Sequence, residues 1–460
     1  MLNLKKKNLK SDSGGGVLLS LKKYKEPHKK RKMIYFLSTL MILSLGIFIF
    51  YKSFAFYEEK KDFNVINGVV EDPGDLYFAY YVNNTITRDF PTKDSGLTLD
   101  TTKSSCTSGV TISWDDEKWE ANLNYSNYQK NSTTRTKCTL YFKNKPVIAT
   151  TLLNNLVSGA NKSSTDVYTV PDKTSDSCTY TLAYDGTADN NLRYVGSNPC
   201  NYVTFNGETA RWRIIGILNT PEGQRLKLIR ANSIGYYSWD NKVSGTGSST
   251  SAYGSNDWTD STLKEVLNNG AYYNRTSGTC PNGPRGATVS CDYTSNGLIE
   301  EAKNQIDTIT WKLGGTGNFG SSNTSQFYSY ERGTTVYTGR PTEWQGKVGL
   351  MYLSDYGYAT SGGSTTNRSS CLAKELSNWN SSSYSDCKDN DWLYNSNKKQ
   401  WILNSYTNYS YAVLIVDNSG RVLFSDRTVY QYAVRPSVYL KSSTTILSGE
   451  GTLENPYEIG

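Results

Sequence analysis

Residues Met33 to Tyr51 read MIYFLSTLMILSLGIFIFY, a run with no charged side chain. As a helix rising about 1.5 Å per residue, the run is roughly 28 Å long, close to the ~30 Å hydrocarbon thickness of a bilayer. Only Ser38, Thr39, Ser44 and Gly46 interrupt it, and hydroxyls of that kind bond back to the helix's own carbonyls. The expectation is a single transmembrane helix over residues 33–51, with the membrane as the first partner. Ser53-Phe54-Ala55 resembles a small-x-small cleavage site, so a removable signal peptide is the rival reading. The length of the apolar run and of the basic segment before it favours an anchor.

Residues 1–32 carry eleven Lys or Arg against Asp12 and Glu26, a charge of +9. The positive-inside rule makes this segment a basic cytoplasmic tail. The whole chain is +7, so residues 33–460 carry 7 − 9 = −2. That remainder has no field to hold a polyanion, which excludes nucleic acid as a partner. The expected location is the plasma membrane, single-pass, with the N-terminus cytoplasmic and the C-terminus extracellular.

All eight cysteines lie beyond the apolar run: Cys106, Cys138, Cys178, Cys200, Cys280, Cys291, Cys371 and Cys387. An even number in an exported segment reads as disulfides, although the sequence leaves the pairing open. The gaps of 32, 22, 11 and 16 residues suggest four sequential staples. Loops so short stabilise by roughly 3 kcal/mol each on the chain-entropy model. Zinc does not fit, because no Cys-x2-Cys pair occurs.

The single histidine, His28, lies in the basic tail. The rest of the chain therefore has no imidazole for Ser-His-Asp or Cys-His catalysis, nor for zinc-hydrolase or facial-triad iron sites. Paired carboxylates, Ser-Lys chemistry and calcium-dependent binding remain open.

Three regions follow the apolar run. Residues 63–147 read as a small β-sandwich-like module: DLYFAYYVNN, GLTLDTTKSSC, GVTISWDDEKWEANLNY and TRTKCTLYFKNK are rich in β-branched and aromatic residues. Cys106, Trp114 and Cys138 could form an immunoglobulin-like core there. Residues 148–177 read as a linker, with a short helix in ATTLLNNLVSGA stopped near Gly159. Residues 178–460 open with strands and continue with two expected helices, one in TDSTLKEVLNNG and one in SNGLIEEAKNQIDTITWKLGG. In the second, Ile299, Ala302, Ile306, Ile309 and Leu313 recur at helical spacing. Asp417-Asn418-Ser419-Gly420 is expected to turn a hairpin between YAVLIV and RVLF.

The run NYVTFNG, WRIIGI, LKLIR, SIGYYSWDN, then NDWTDSTLKEVLN, YYNRT and GKVGLMYLSDYGYAT, then WILNS, DNSGRV and YAVRPSVYL, resembles uncharacterised surface proteins of Firmicutes. Its closing part also resembles the end of C-type-lectin-like and formylglycine-generating-enzyme-like domains. The resemblance covers about residues 190–445. It implies a C-type-lectin-like α+β domain over 178–460. With the apolar run and the strand-rich segment before it, the expected fold class is α+β, an N-terminal transmembrane helix followed by a small β-sandwich-like module and then that disulfide-bonded domain. Neither activity carries over. The calcium-lectin triplets are absent, Ser238-Trp239-Asp240-Asn241 and Asn256-Asp257-Trp258 are in the wrong order, and no cysteine follows Cys387.

Tyr, Ser, Gly and Asn dominate the exported region, a composition shared by paratopes and by AT-rich genomes. Trp212, Trp239, Trp258, Trp311 and Trp401 sit in expected elements and are assigned to the core. Trp344 and Trp379 sit in loop-like contexts and are the aromatic contact candidates. Asp386, Asp389, Asn390 and Asp391 supply oxygens of the kind Ca2+ takes, but no Gly-centred twelve-residue loop is present, so a solvated acidic turn is the plainer reading. Asp389 and Asp391 are retained as binding candidates. Arg435 is expected to pair with a carboxylate. No catalytic residue and no metal ligand is assigned. The functional expectation is a membrane-anchored surface binding or adhesion protein for a glycan or protein ligand, with a carboxylate-dependent glycan or cell-wall hydrolase as the alternative.

Overall fold

The computed structural model describes residues 66–67, 76–127, 136–164, 166–171, 173, 175, 177–243, 253–425 and 427–460. Residues 33–51, expected as the membrane helix, lie outside them. Among the described residues no helix is long and apolar enough to cross a membrane.

The expected α+β class is corrected. Among the described residues strand accounts for 36% and helix for 19%, which makes the fold mainly β. The segment over 299–313 shows why. Helix forms only at Glu300–Gln305, and Ile309–Lys312 is a strand paired with Glu343–Gly346. The run Ile309-Thr310-Trp311-Lys312 alternates buried and half-buried, and β-branched and aromatic side chains suit that pleat better than a helix. The apolar spacing that matched a helix face is shared between two different elements. In TDSTLKEVLNNG, Ser261 caps the Thr262–Asn268 helix, its side chain accepting from Lys264 N.

The chain divides into two compact units, Met1–Ala79 with Thr101–Leu140, and Tyr80–Asp100 with Tyr141–Gly460. In the first, strands Thr111–Asp115, Glu120–Asn124 and Ile66–Asn67 form one sheet. Its core gathers Val110 and Leu123 about the Cys106–Cys138 disulfide, with Leu76, Phe78, Ile112 and Tyr125 partly buried against them. Trp114 is not in that cluster. It meets Trp119 edge to face at 4.9 Å and donates to Asp116 Oδ1 at 2.7 Å, so the immunoglobulin-like arrangement of a Trp on the disulfide does not form.

In the second unit, twelve strands among the described residues join into one sheet. Its spine is the long hairpin Glu208–Thr220 and Gly223–Arg230. On one edge of the spine, Gly223–Arg230 pairs with Ser437–Tyr439, which pairs with Val348–Gly349. On the other, Leu192–Tyr194 pairs with Glu208–Thr220, approaching so closely at Gly216 that a Cβ there would lie 2.1 Å from Leu192 O. The helix Ala149–Ser158, in the segment expected to be a linker, buries Ala149, Leu153 and Val157 in this unit's core. A second, five-stranded sheet runs in the order Tyr236–Tyr237, Tyr432–Ala433, Gln400–Ser405, Val413–Val416 and Val422–Ser425. The expected 417–420 turn closes its last hairpin, with Asp417 Oδ1 accepting from Ser419 N at 2.9 Å and Asp417 Oδ2 from Arg421 Nε at 2.7 Å. The disulfides Cys178–Cys200, Cys280–Cys291 and Cys371–Cys387 complete the sequential pairing. Trp212, Trp239, Trp258, Trp311 and Trp401 are all buried.

A charged network crosses this core. Arg193 Nε donates to Asp185 Oδ2 at 3.1 Å and its Nη1 to Asp355 Oδ1 at 2.8 Å. Lys227 Nζ lies 2.5 Å from Asp355 Oδ2, and none of these four side chains is exposed by more than 1%. Asp185 also accepts from Thr187 N and Oγ1 and from Asn191 N and Nδ2.

Candidate functional site

The tyrosines of residues 406–411 include the most exposed aromatic ring among the described residues, Tyr409, with Tyr411 half-buried and Tyr406 buried beside it. They sit on the connection between strands Gln400–Ser405 and Val413–Val416, where Tyr406 N bonds Ala412 O at 3.1 Å. Tyr409 is 45% exposed. Its ring stacks on Tyr411 at 5.6 Å, and Tyr411 meets Tyr253 at 5.1 Å. Arg427 lies 4.4 Å over the Tyr253 ring. On the inward side Tyr406 stacks on Phe424 at 4.8 Å. The rings brace one another, which gives a rigid amphipathic surface at little entropic cost on binding.

Beside the strip is a shallow, water-sized cleft lined by Asn256, Asp257, Trp258, Arg340 and Ser405 among others. The two features share a loop. Asn256 Nδ2 reaches Tyr409 O at 2.9 Å and Tyr406 O at 3.1 Å, while Asn256 Oδ1 accepts from Arg340 Nε at 3.2 Å. Arg340 Nη1 stands 3.8 Å from Asp257 Oδ2, and the two side chains are 26% and 15% exposed. Asp257 Oδ1 is occupied by Thr259 N and Oγ1. Trp258 Nε1, buried, has no hydrogen-bond partner. The mouth therefore presents a partly exposed cation and anion, Arg340 and Asp257, while the Asn256 amide is buried and engaged on both ends.

Asp240 positions this segment, accepting from Ser255 N at 2.7 Å and Thr262 N at 3.0 Å. Burial pushes its carboxyl up, against those backbone donors. Its neighbours in Ser238-Trp239-Asp240-Asn241 also turn inward. Ser238 donates to Val429 O, Trp239 to Ile402 O, and Asn241 to Gly283 O and Ala287 O. This motif builds the frame of the cleft rather than its surface.

The residues singled out from sequence fall elsewhere. Trp379 is fully buried against Tyr356 at 5.2 Å and is closed to a ligand. Trp344 is half-buried in the Glu343–Gly346 strand, opposite Trp311, and meets Trp258 edge to face at 6.0 Å. It supports the cleft from behind the indole. Asp389 is exposed and paired with Lys388 at 2.5 Å. Asp391 is not part of a solvated acidic turn. It is 4% exposed, accepts from Leu393 N through Oδ1, leaves Oδ2 without a partner, and burial pushes its carboxyl well above the usual range. Asp386 Oδ2 accepts from Thr365 N, Thr365 Oγ1 and Thr366 N, and those bonds hold its carboxyl below the ordinary value. The three carboxylates point to three different environments. Among the described residues no three His, Cys, Asp or Glu side chains gather as a metal set.

Arg435 is corrected as well. It donates to Arg230 O at 3.0 Å, Leu393 O at 3.2 Å and Gln400 Oε1 at 3.3 Å, carbonyls and an amide instead of a carboxylate. Carboxylates do come together in Asp185, Asp355 and Glu331, but with unexposed side chains that no polysaccharide reaches. The tyrosine strip was missed in sequence because Tyr is abundant throughout; the spacing Tyr406-x-x-Tyr409-x-Tyr411 just before a hairpin strand was the available signal. No family model, curated protein or solved structure matches the chain, so its own geometry carries the functional reading.

Proposed function

We propose that the chain is a cell-surface binding and adhesion protein that takes a glycan on the Tyr253, Tyr411 and Tyr409 strip, with the Asn256, Asp257 and Arg340 mouth beside it. The observation that carries this reading is the exposed Tyr409 ring stacked on the half-buried Tyr411, next to a partly open Arg-Asp mouth. Sugar rings place apolar C–H faces on aromatic rings, and their hydroxyls take hydrogen bonds from adjacent charged groups. The four disulfides support a location in an oxidising compartment.

A glycan array probed with the full chain tests the reading. Binding to a restricted set of glycans, lost in the double variant Tyr409→Ala, Tyr411→Ala without loss of thermal stability, is the expected result. Signals at background across the array, or equal binding by the variant, refute it.

A further inference from the structure

Lys227 projects from the Gly223–Arg230 strand between Leu226 and Leu228 and has no exposed side-chain surface. Its Nζ is 2.5 Å from Asp355 Oδ2, on the Leu353–Tyr358 helix 128 residues later. The rings of Tyr352, Tyr439 and Trp311 enclose the amine at 4.4, 5.0 and 5.2 Å. A third buried group stands close by: Glu331, unexposed, accepts from Ser354 N at 2.9 Å and Ser354 Oγ at 2.5 Å, on the residue before Asp355. A buried amine and carboxyl are thus in contact, without exposed surface and ringed by aromatics, the close approach that an amide-forming pair requires.

We propose that Lys227 and Asp355 condense spontaneously into an intramolecular amide that joins strand to helix. The step balances without a cofactor. A proton crosses from Nζ to the carboxylate, giving amine and carboxylic acid. Nζ then attacks Asp355 Cγ. The Nζ–Cγ bond forms and the Cγ–Oδ2 bond breaks. Oδ2 leaves as water, carrying both protons that Nζ has lost, and nothing is oxidised or reduced. Oδ1 remains as the amide oxygen and keeps its bond from Arg193 Nη1, now 2.8 Å away. Glu331 is the proton carrier between amine and leaving oxygen.

Three features support the reaction. Burial pulls the Lys227 ammonium down to about 8, against the Asp355 carboxylate, so the neutral amine is within reach at neutral pH. Burial pushes the Asp355 carboxyl up, but Lys227 and Arg193 together hold it below its ordinary value, so the groups rest as an ion pair and the reaction proceeds from the minor neutral form that one proton transfer gives. Burial pushes Glu331 up, which suits a carboxyl that must take and return a proton. The charge balance also favours it. Condensation removes one buried cation and one buried anion. Arg193 retains Asp185 at 3.1 Å, and Glu331 retains Arg332 at 3.3 Å, so no remaining charge of the network is orphaned.

Intact mass of the purified full chain, denatured but not reduced, tests the proposal. The expected mass is one water below that of the sequence with four disulfides closed. Proteolysis then yields a branched peptide joining the segments of Lys227 and Asp355. A wild-type chain at full mass overturns the proposal. So does a water loss that persists in Lys227→Met, because it places the dehydration elsewhere. The wild-type measurement decides even if that variant fails to fold. Glu331→Gln is expected to accumulate unlinked chain, and complete linkage in it removes the role assigned to Glu331.

Discussion

Replacing Asp185 by alanine is the sharpest test of the buried network. Asp185 sits just after the Thr181–Tyr184 strand with its side chain fully enclosed, and it accepts from Arg193 Nε at 3.1 Å, Asn191 Nδ2 at 2.8 Å and Thr187 Oγ1 at 2.7 Å. Alanine leaves the Arg193 guanidinium with Asp355 alone and strands donors of Thr187 and Asn191. Removing one partner of a buried ion pair costs about 3–5 kcal/mol, the upper part of that range applying when further hydrogen bonds are lost with it. The pH dependence has a definite sign. Burial pushes the Asp185 carboxyl up, but Arg193, Asn191 and Thr187 together hold it below its ordinary value of 3.8. A carboxyl depressed in the folded state contributes stability that is present above that ordinary value and is lost as pH falls through the folded one. Urea unfolding of the full chain, followed by tryptophan fluorescence at pH 7 and at steps below pH 4, measures both effects. The variant is expected to lose about 3–5 kcal/mol at pH 7 and to show a flatter acid limb than wild type. A loss below about 1 kcal/mol, the size of an exposed pair, refutes the reasoning.

Trp379→Ala is expected to cost about 3–5 kcal/mol, since the indole is fully buried beside Tyr356; a change within about 0.5 kcal/mol in thermal or urea unfolding would indicate a surface role instead. Replacing Cys371 and Cys387 together by serine opens a staple spanning 16 residues and is expected to lower stability by about 3 kcal/mol, read as a fall in urea midpoint that reductant no longer deepens at this site. Gly216→Ala is expected to destabilise by about 1–3 kcal/mol or more, because its Cβ would lie 2.1 Å from Leu192 O, a backbone atom that cannot swing away. An Ala variant as stable as wild type would show that the Leu192–Tyr194 strand is not held that close.

Local patterns transferred well where one element decided them. The Ala149–Ser158 helix ends at Gly159, the 417–420 turn closes its hairpin, and the five core tryptophans are enclosed. Patterns that straddled two elements failed. Ile299 to Leu313 has helical spacing, yet Ile309 and Trp311 belong to a strand because Glu343–Gly346 was available to pair with it. Such a partner lies about thirty residues away in sequence, and a window centred on one segment does not contain it. Trp379 and Asp391 stand among polar, turn-rich neighbours, so exposure was the natural expectation; tertiary packing drew both inward.

The sequence by itself determined the absence of imidazole beyond His28, which is a matter of composition, and the short cysteine gaps that suggested sequential closure, while the packed chain decided the pairing. Tertiary structure alone decided which carboxylates are buried and what the tyrosines face. Asp185, Lys227 and Asp355 are spread along the chain and meet only because the long hairpin and the Leu353–Tyr358 helix pack together. Tyr253 and Tyr411 likewise come within 5.1 Å across more than one strand connection. Burial and proximity are properties of the packed chain as a whole, since a side chain's dielectric surroundings are set by residues that no local pattern specifies.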